Sequence, residues 1–302
     1  MNQVIQFFKE NEFHHYKIKE PLKKHCYIRA GGLADVLFPP QNETEMIHTI
    51  LFLAKEGIPY KVIGKGSNIL FSDEDYKGVI IKNTMASSQV EINDDSVIVG
   101  GSASLVKLSY NLAKQGYSGL EFSSGIPGTV GGALYMNAGA YNVEMKDVVV
   151  WVKYIDEEGI IRILHNEDCL FRYRNSIFKE QLTDAVILET KIKLHKEDPV
   201  VVLDVIKSRK ERRHTTQPLD YPSCGSVFKN PLNDHAYLYI DRVGLRGYRI
   251  GGAKFSEKHC NFIINDEQAK ASDIRDLIEL ATKKVFDTYQ IKLIKEVELF
   301  NW

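Results

Sequence analysis

The sequence predicts a two-lobed protein of mixed α+β structure. Its 302 residues are long for a single hydrophobic core, so the length favours two lobes or one elaborated domain. Apolar residues make up 44% of the chain, which is ample for burial, and amphipathic helical patterns occur between runs typical of strands. The composition also changes abruptly near residue 123, where a glycine-rich segment begins.

Charge and hydropathy exclude several classes of protein. Lys and Arg number 39 against 40 Asp and Glu, a net charge of -1 that gives no global field for nucleic acid or an anionic membrane. No window approaches the roughly 20 apolar residues that span a bilayer. We therefore expect a soluble cytoplasmic protein with no obligate protein partner. The basic run over residues 208–214 is interpreted as a solvated helix end, with contact to a substrate phosphate left open.

Four cysteines are scattered along the chain without a Cys-x-x-Cys pair. They are Cys26, Cys169, Cys224 and Cys260. This spacing argues against a zinc site and against a disulfide framework, and it favours free thiols. Cys224 precedes Ser226 by two residues, and we interpret it as a small residue lining a site rather than as a nucleophile.

The first half of the chain shows regular elements around one short glycine motif. The patterns predict a helix over 44–55, a strand over 58–63, a hairpin arm over 85–101 and a helix over 104–115. The strand runs into Gly64-Lys65-Gly66-Ser67-Asn68, where glycines let backbone N–H groups approach a phosphate. An ordinary tight turn is an equally good interpretation of this motif.

Residues 123–141 are packed with glycine and small side chains. Such density costs roughly 0.5–1 kcal/mol per glycine in regular structure, so we favour a loop that contacts a cofactor over close packing of elements. The segment is not a Rossmann fingerprint, because no Gly-x-Gly-x-x-Gly follows a strand with an acidic residue about 20 positions on.

The second half predicts strands, a boundary and a C-terminal lobe. Strands are expected over 147–164, 185–194 and 262–264, and helices from Asp198-Pro199 to about Arg213 and from Ser272 onward. The first of these helices marks the predicted boundary between lobes. A last strand is expected to carry Glu296.

Three separate segments carry a hydroxyl, a guanidinium and a carboxyl. Ser226 lies among turn-forming residues in 221–230, Arg174 follows Tyr173, and Glu296 lies near the C-terminus. A proton-coupled reduction needs these groups together. Taken singly, the guanidinium suits a structural salt bridge, the carboxyl a strand edge and the hydroxyl a turn or helix cap.

Five motifs in order together resemble the MurB family, the UDP-N-acetylenolpyruvoylglucosamine reductases. They are Gly64-Lys65-Gly66-Ser67-Asn68, Gly125-Ile126-Pro127-Gly128-Thr129-Val130-Gly131-Gly132, Tyr173-Arg174-Asn175-Ser176, Gly225-Ser226-Val227-Phe228-Lys229-Asn230-Pro231 and Lys295-Glu296-Val297. The resemblance runs from about Pro21 to the C-terminus. The compact stretch between Lys179 and Ser226 resembles the shorter subtype, which lacks an extra tyrosine loop.

The resemblance implies a fold and a set of binding residues. Residues 1–198 would form a two-lobed FAD-binding region of the vanillyl-alcohol-oxidase (PCMH) type, with subdomains of about 1–82 and 83–198, and 199–302 a smaller α/β substrate domain. It implies FAD contacts at Gly64, Gly66, Ser67, Asn68, Ser124, Gly125, Ile126, Pro127, Gly128, Thr129, Gly131 and Gly132. Substrate contacts are implied at Tyr141, Lys229, Asn230, Arg246 and His259.

The resemblance also implies a reaction. NADPH would reduce UDP-N-acetylglucosamine enolpyruvate to UDP-N-acetylmuramate for peptidoglycan synthesis, through the FAD. Arg174 and Glu296 would stabilise the enolate, and Ser226 would donate the proton with help from Lys229 or a water. Two positions depart from the family pattern: Glu298 and Thr216 stand where basic residues are common.

Two other functions are considered. The first is an FAD oxidase of the same fold acting on an alcohol or sugar; its covalently flavinylated members need a His or Cys beside the flavin, and residues 123–141 contain no His. The second is a nucleotide-sugar binding module without chemistry, against which the joint presence of Arg174, Ser226 and Glu296 argues.

Overall fold

The computed structural model describes residues 1–85, 89–232 and 234–302. Its α-helices in these residues are α1 (Asn2–Glu10), α2 (Glu43–Lys55), α3 (Leu105–Lys114), α4 (Val130–Tyr135), α5 (Ile177–Glu180), α6 (Pro199–Thr216), α7 (Ala236–Arg242) and α8 (Ala271–Tyr289). Its strands are β1 (Lys17–Pro21), β2 (Leu33–Phe38), β3 (Tyr60–Ile63), β4 (Ile69–Phe71), β5 (Tyr76–Lys82), β6 (Val90–Asn93), β7 (Ser96–Gly100), β8 (Tyr117–Ser118), β9 (Gly139–Ala140), β10 (Val143–Glu144), β11 (Val149–Ile155), β12 (Ile161–His165), β13 (Val186–Lys193), β14 (His195–Lys196), β15 (Ser223–Ser226), β16 (Arg249–Ile250), β17 (Ala253–Phe255), β18 (Phe262–Asn265) and β19 (Glu298–Phe300).

The chain divides into two compact units that interleave in sequence. The first contains Met1–Ile18, Asp35–Lys65 and Lys77–Glu211, and the second contains Lys19–Ala34, Gly66–Tyr76 and Arg212–Trp302. One boundary therefore falls inside the first glycine motif, between Lys65 and Gly66. The domain limits expected from the sequence, 1–198 and 199–302, stay a prediction.

The first unit is built on an antiparallel sheet with strand order β12-β11-β13-β7-β6. Its central strand β13 pairs with β11 and β7, with Thr190 opposite Val99. The apolar sides of α3 and α4 belong to the hydrophobic cluster formed on this sheet, through fully buried residues such as Leu105 and Leu134. A further sheet has the order β1-β2-β5-β3, in which β3 and β5 run parallel with Val62 opposite Ile81.

The regular elements expected in this half are confirmed. Helix α2 lies where residues 44–55 predicted it, and its first turn is capped by the side chain of Asn42, which accepts the N–H of Glu45 at 2.9 Å. Helix α3 and strands β3, β11 and β13 also lie within the predicted ranges, and β12 ends one residue beyond its range, at His165. The hairpin arm expected over 85–101 contains β6 and β7, while its residues 86–88 lie outside the described chain.

The glycine-rich segment is more regular than the loop that was predicted. Residues 130–135 form helix α4, capped by Thr129 Oγ1, which accepts the N–H of Gly132 at 3.2 Å. Residues 139–144 form the hairpin β9–β10. The cap and two buried apolar side chains, Val130 and Leu134, outweigh the poor helix propensity of the glycines.

The second unit combines a four-stranded sheet of order β15-β18-β17-β16 with helix α8. Helix α8 packs on β16 and β17 and buries the apolar residues Ile274, Leu277, Ile278, Ala281 and Val285. The predicted long helix and the predicted strand at 262–264 are thus confirmed.

The last strand does not carry Glu296, contrary to the prediction. Strand β19 begins at Glu298 and pairs in parallel with β4, with Glu298 opposite Ile69. Before that point the chain bonds elsewhere, because the N–H groups of Glu296 and Val297 both donate to the carbonyl of Val227. Across the described ranges, no helix is long and apolar enough to cross a membrane.

Candidate functional site

In the second unit, the first glycine motif meets the C-terminal motif. The side-chain amide of Asn68 donates to the carbonyl of Glu296 at 3.0 Å. The N–H of Glu298 donates in turn to the carbonyl of Asn68, also at 3.0 Å. Two segments far apart in sequence are therefore joined side by side at the entry to β4 and β19.

The Ser226 motif adjoins the same C-terminal segment. Ser226 is half-buried at the end of β15, opposite Phe262 of β18. The next residue, Val227, accepts the N–H of Glu296 at 2.8 Å. Ser226 and Glu296, two of the predicted catalytic residues, thus lie on neighbouring backbone segments of one unit.

Asn261 holds this arrangement from the other side, and sequence analysis missed it. Its Nδ2 donates to the carbonyl of Phe228 at 2.8 Å, while its Oδ1 accepts the N–H of Phe228 at 3.0 Å. The carbonyl of Asn261 also accepts the N–H of Val227. Asn261 is only 3% exposed, and the available signal was an amide directly before the apolar run Phe262-Ile263-Ile264.

Lys229 and Asn230 follow on the same segment. The N–H of Lys229 donates to the carbonyl of Ile294 at 2.8 Å, which extends the pairing with the C-terminal segment. The Oδ1 of Asn230 accepts the N–H of Ala236 at 3.1 Å, at the start of α7. Asn230 therefore satisfies a backbone donor at the start of this helix, and its predicted contact with substrate stays a prediction.

Arg246 and His259, the other expected substrate contacts of this unit, also have partners within the protein. Arg246 forms a bidentate ion pair with Asp241, at 2.8 Å from Nε and 2.6 Å from Nη2. The Nδ1 of His259 accepts the N–H of Asn261 at 3.2 Å. Burial lowers the pKa of His259, and the nearby Arg246 and His235 act in the same direction, which favours a neutral imidazole.

In the first unit, the expected cofactor residues pack closely. A Cβ at Gly64 would lie 2.5 Å from Thr129 Oγ1, and the N–H of Gly131 donates to the carbonyl of Gly101 at 2.8 Å. A Cβ at Gly131 would lie 3.1 Å from that same carbonyl. Close packing, the alternative to cofactor contact, therefore accounts for at least these two glycines.

Other groups of this unit suit an anion such as the FAD pyrophosphate. Within the described residues, the N–H groups of Gly125, Gly128 and Thr129 have no protein acceptor. Lys65 donates to the hydroxyl of Ser104 at 2.7 Å; burial and the nearby Lys107 lower its pKa. A short stretch of available backbone donors near the Gly64 motif is the chemistry that binds phosphate oxygens. The residues present therefore fit FAD.

Arg174 is anchored in the first unit by the β9–β10 hairpin. It adopts a left-handed backbone conformation with φ of 54°. Its Nη2 donates to the carbonyl of Gly139 at 2.8 Å, and its Nη1 lies 3.3 Å from Glu144 Oε1. Tyr141 lies at the tip of the hairpin, where its hydroxyl donates to the carbonyl of Arg209 at 3.2 Å and its ring stacks under that guanidinium.

Comparison with protein families first defines the class. Residues 34–164 match the family described as FAD binding domain, which confirms the expected flavin cofactor and, with the mixed helices and sheets, the predicted fold class. Residues 217–300 match the family described as UDP-N-acetylenolpyruvoylglucosamine reductase, C-terminal domain. The chain is thus an α+β flavoprotein with both parts of such a reductase.

Relatives along the whole chain then define the family. The chain is 41% identical over 301 residues to the UDP-N-acetylenolpyruvoylglucosamine reductase of Bacillus subtilis, covering 100% of this chain and 99% of the relative. It is 41% identical over 285 residues to that of Clostridioides difficile, covering 94% and 93%. The crystal structure of UDP-N-acetylenolpyruvylglucosamine reductase (MurB) from Thermus caldophilus matches with a TM-score of 0.81 and 30% identity, covering 94% of this chain and 99% of that one. This chain belongs to the UDP-N-acetylenolpyruvoylglucosamine reductase family, as the motifs predicted.

Proposed function

We propose that this protein is an NADPH-dependent FAD enzyme that reduces UDP-N-acetylglucosamine enolpyruvate to UDP-N-acetylmuramate for peptidoglycan synthesis. The observation that carries the proposal is similarity over the whole chain to reductases of that name, at 40% identity over 302 residues in Bacillus velezensis. The pairing of the Ser226 segment with the Glu296 segment supports it. Such an activity serves cell-wall growth, cell shape and division.

When bound, FAD would carry the hydride from NADPH to the enolpyruvyl double bond. The residues of the chain would supply binding, orientation and charge. Residues Gly64, Gly66, Ser67 and Asn68 of the first motif, together with Ser124 to Gly132, would bind the FAD. Tyr141, Lys229, Asn230, Arg246 and His259 would contact the nucleotide sugar.

Ser226 would donate the proton that completes the reduction. Addition of hydride to the terminal carbon leaves negative charge on the adjacent carbon, which must then accept a proton. A hydroxyl is a weak acid, so it needs a nearby cation or a water to stabilise the alkoxide that remains. Lys229, three residues further along the same segment, is the cation we assign to this task.

Arg174 and Glu296 would stabilise the enolate. A guanidinium is a fixed fork of donors that suits a carboxylate, and its attraction grows as charge develops in a water-poor site. Loss of one such donor typically raises the barrier by about 2.7–4 kcal/mol. Glu296 is half-buried and would act in its protonated form, as a hydrogen-bond donor, because an ionised carboxylate would repel the enolate.

We place the reaction in the cytoplasm, where NADPH and nucleotide sugars are found, and expect a single chain to suffice for each active centre. No membrane insertion and no nucleic acid are involved in this proposal. The near-neutral net charge of -1 is compatible with a small-molecule substrate held by local charges.

The test is anaerobic oxidation of NADPH by the purified yellow protein, with and without UDP-N-acetylglucosamine enolpyruvate. Oxidation that is stoichiometric with this substrate is expected. A flavoprotein that ignores the substrate, but is reduced by an alcohol or sugar and reoxidised by air, would instead be an oxidase of the same fold. A protein that binds the nucleotide sugar without oxidising NADPH would be a binding module.

The role of Ser226 is tested separately with Ser226→Ala. Reduction of the flavin by NADPH should persist, while steady-state turnover should collapse by at least about 100-fold, the lower range for general acid catalysis. Ser223→Ala changes another half-buried serine of the same strand and serves as the control. Unimpaired turnover in Ser226→Ala would remove this residue from the proposed role.

A further inference from the structure

The β9–β10 hairpin contacts Arg174 at two points with different chemistry. The carbonyl of Gly139, on the first strand, accepts from Nη2 at 2.8 Å. The carboxylate of Glu144, on the second strand, lies 3.3 Å from Nη1. Gly139 and Glu144 are paired residues on the two strands of the hairpin. Contacts from both strands fix the position of the planar guanidinium and its rotation about the side-chain axis.

The carboxylate of Glu144 is itself held in place. Its Oε2 accepts the side-chain N–H of Asn137 at 2.9 Å and forms an ion pair with Lys146 at 3.2 Å. Asn137 is fully buried, and its Oδ1 accepts the N–H of Lys146 at 2.9 Å. Glu144 is therefore a half-buried carboxylate whose two oxygens face different partners, Oε1 toward Arg174 and Oε2 toward Asn137 and Lys146.

Partial burial makes the pair electrostatically significant. The side chains of Arg174 and Glu144 are 17% and 14% exposed, so water screens them less than a surface pair. A surface ion pair contributes little, but removal of one partner from a buried pair leaves the other without compensation. Arg174 also has a strained positive φ, a cost that persists only where surrounding contacts determine the conformation.

The hairpin that supplies these contacts is strained in its turn. The two residues between β9 and β10, Tyr141 and Asn142, have φ values of 57° and 62°. This is the two-residue turn that favours Asn, Asp or Gly at both positions, and a tyrosine in its first position is unfavourable. The bond from its hydroxyl to the carbonyl of Arg209, at 3.2 Å, helps to hold the turn.

We propose that Glu144 is the positioning residue of Arg174, and that it sets the orientation of the guanidinium toward the carboxylate of the substrate. The proposal rests on the proposed function, because it takes Arg174 as the group that stabilises the enolate. In the proposed reaction, Glu144 acts through Arg174. It also moderates the positive charge, so that Arg174 binds the carboxylate of the ground state less tightly than an isolated guanidinium would.

The experiment compares Glu144→Gln with Glu180→Gln in the full-length enzyme with FAD bound. Glu180 is a suitable control because it lies 3.7 Å from Arg172, on the same chain segment as Arg174, in an exposed pair. Three quantities are measured for each: the rate of flavin reduction by NADPH alone, the steady-state kcat, and the Kd of the enolpyruvyl substrate from the change in flavin absorbance. Thermal midpoints are recorded in parallel.

Glu144→Gln is expected to reduce kcat by about 10- to 100-fold, because a small misplacement of a catalytic group has effects of this size. Flavin reduction by NADPH should stay within about twofold of wild type, and the Kd should be unchanged or lower because a compensating negative charge is lost. Glu180→Gln should match wild type in all three. A merely structural role for Glu144 would move flavin reduction, Kd and thermal midpoint together.

The proposal is overturned if kcat of Glu144→Gln stays within twofold of Glu180→Gln, or if flavin reduction falls in parallel with kcat. Glu144→Asp provides a second variant, since it keeps the charge on a shorter side chain; it should recover the wild-type Kd but not the wild-type kcat. Failure of the proposed function is distinguishable, because wild-type enzyme would then show no substrate-dependent oxidation of NADPH.

Discussion

The side-chain amide of Asn68 donates a hydrogen bond of 3.0 Å to the backbone carbonyl of Glu296. The two residues lie 228 positions apart, and the bond stands next to the first rung of the parallel β4–β19 ladder. Asn68 was expected to contact FAD. That contact stays a prediction; within the protein, its side chain helps to define the path of the backbone that carries a proposed catalytic carboxyl.

Asn68→Ala is therefore expected to reduce kcat more than it reduces FAD content. Loss of a hydrogen bond of this kind costs about 0.5–1.5 kcal/mol, which corresponds to roughly a 2- to 12-fold decrease if it is felt in the transition state. The measurements are steady-state kcat and the ratio of flavin to protein absorbance after gel filtration.

Asn11→Ala is a matched control, because its Nδ2 also donates to a backbone carbonyl, that of Phe7 at 2.9 Å, at an exposed position. The control should retain full kcat. If Asn68→Ala loses FAD while the remaining flavin-loaded enzyme turns over normally, then Asn68 acts on the cofactor and the assignment to Glu296 is wrong.

Gly66 is expected not to tolerate a side chain, because a Cβ there would collide with backbone atoms; Gly244 provides a comparison without that collision. Its φ is 67°, and a Cβ would lie 2.1 Å from the carbonyl oxygen of His25 and 2.9 Å from the Cα of Cys26. Gly244 has a similar φ of 75°, but a Cβ there would meet nothing within 4 Å. The two positions thus share a left-handed backbone conformation, which is strained for alanine, and differ in steric conflict.

Gly244→Ala should cost about 1–2 kcal/mol, the penalty for a left-handed alanine. Gly66→Ala should cost at least a further 1–3 kcal/mol, because backbone atoms must move. Thermal midpoints and soluble yield measure the difference. Equal destabilisation of the two variants would show that the backbone at His25 and Cys26 moves at little cost, and that its close approach to Gly66 does not restrict this position.

Local patterns predicted the regular elements well. Helix α2 was predicted correctly from its apolar spacing over residues 44–55, and helix α8 from its long apolar face. The motif order also predicted the family, since five motifs in register are far more specific than any one of them. These features depend on short-range information that a single sequence contains.

The features that the sequence could not predict depend on contacts between residues far apart in the chain. The backbone path at Glu296 depends on a hydrogen bond to Val227, which is distant in sequence. The chain also passes from the first unit to the second after Ile18 and after Lys65, and no local pattern in the sequence marks either point. The hairpin at Tyr141 and Asn142 contradicts the turn preferences of tyrosine, because distant Arg209 supports it. Asn261 was missed since a buried amide has a recognisable role only once its partners are known.

The four thiols are expected to be unreactive in the native protein. All four cysteines are buried thiols. Burial raises the pKa of Cys169 to about 12 and that of Cys260 to about 11, and it raises the pKa of Cys224 well above its usual range. Since the thiolate is the reactive form, Ellman's reagent at pH 8 should label almost none of them, and all four after denaturation. Rapid labelling of a native thiol would contradict this burial.

The carboxylate of Asp73 should make the stability of the second unit depend on pH. Its oxygens accept the N–H groups of Ala271 and Ser272 at 2.8 and 2.9 Å, at the start of α8. Burial alone would raise the pKa of Asp73, but these bonds, the hydroxyl of Ser272 and the charge of Lys270 together lower it below the usual 3.8.

A lowered folded-state pKa means that this stabilisation is fully present above the unfolded pKa of about 3.8 and is lost as pH falls through the folded value. Asp73→Ala should therefore cost about 0.5–2 kcal/mol at pH 7, and the gap to wild type should narrow at pH 3. Asp73→Asn keeps an acceptor and should lose only the charge–dipole part, about 0.3–1 kcal/mol. Urea midpoints at both pH values measure the gap, with the exposed Asp220→Ala as the control. A gap that is the same at pH 3 and pH 7 would mean that the ionised carboxylate contributes nothing to the cap.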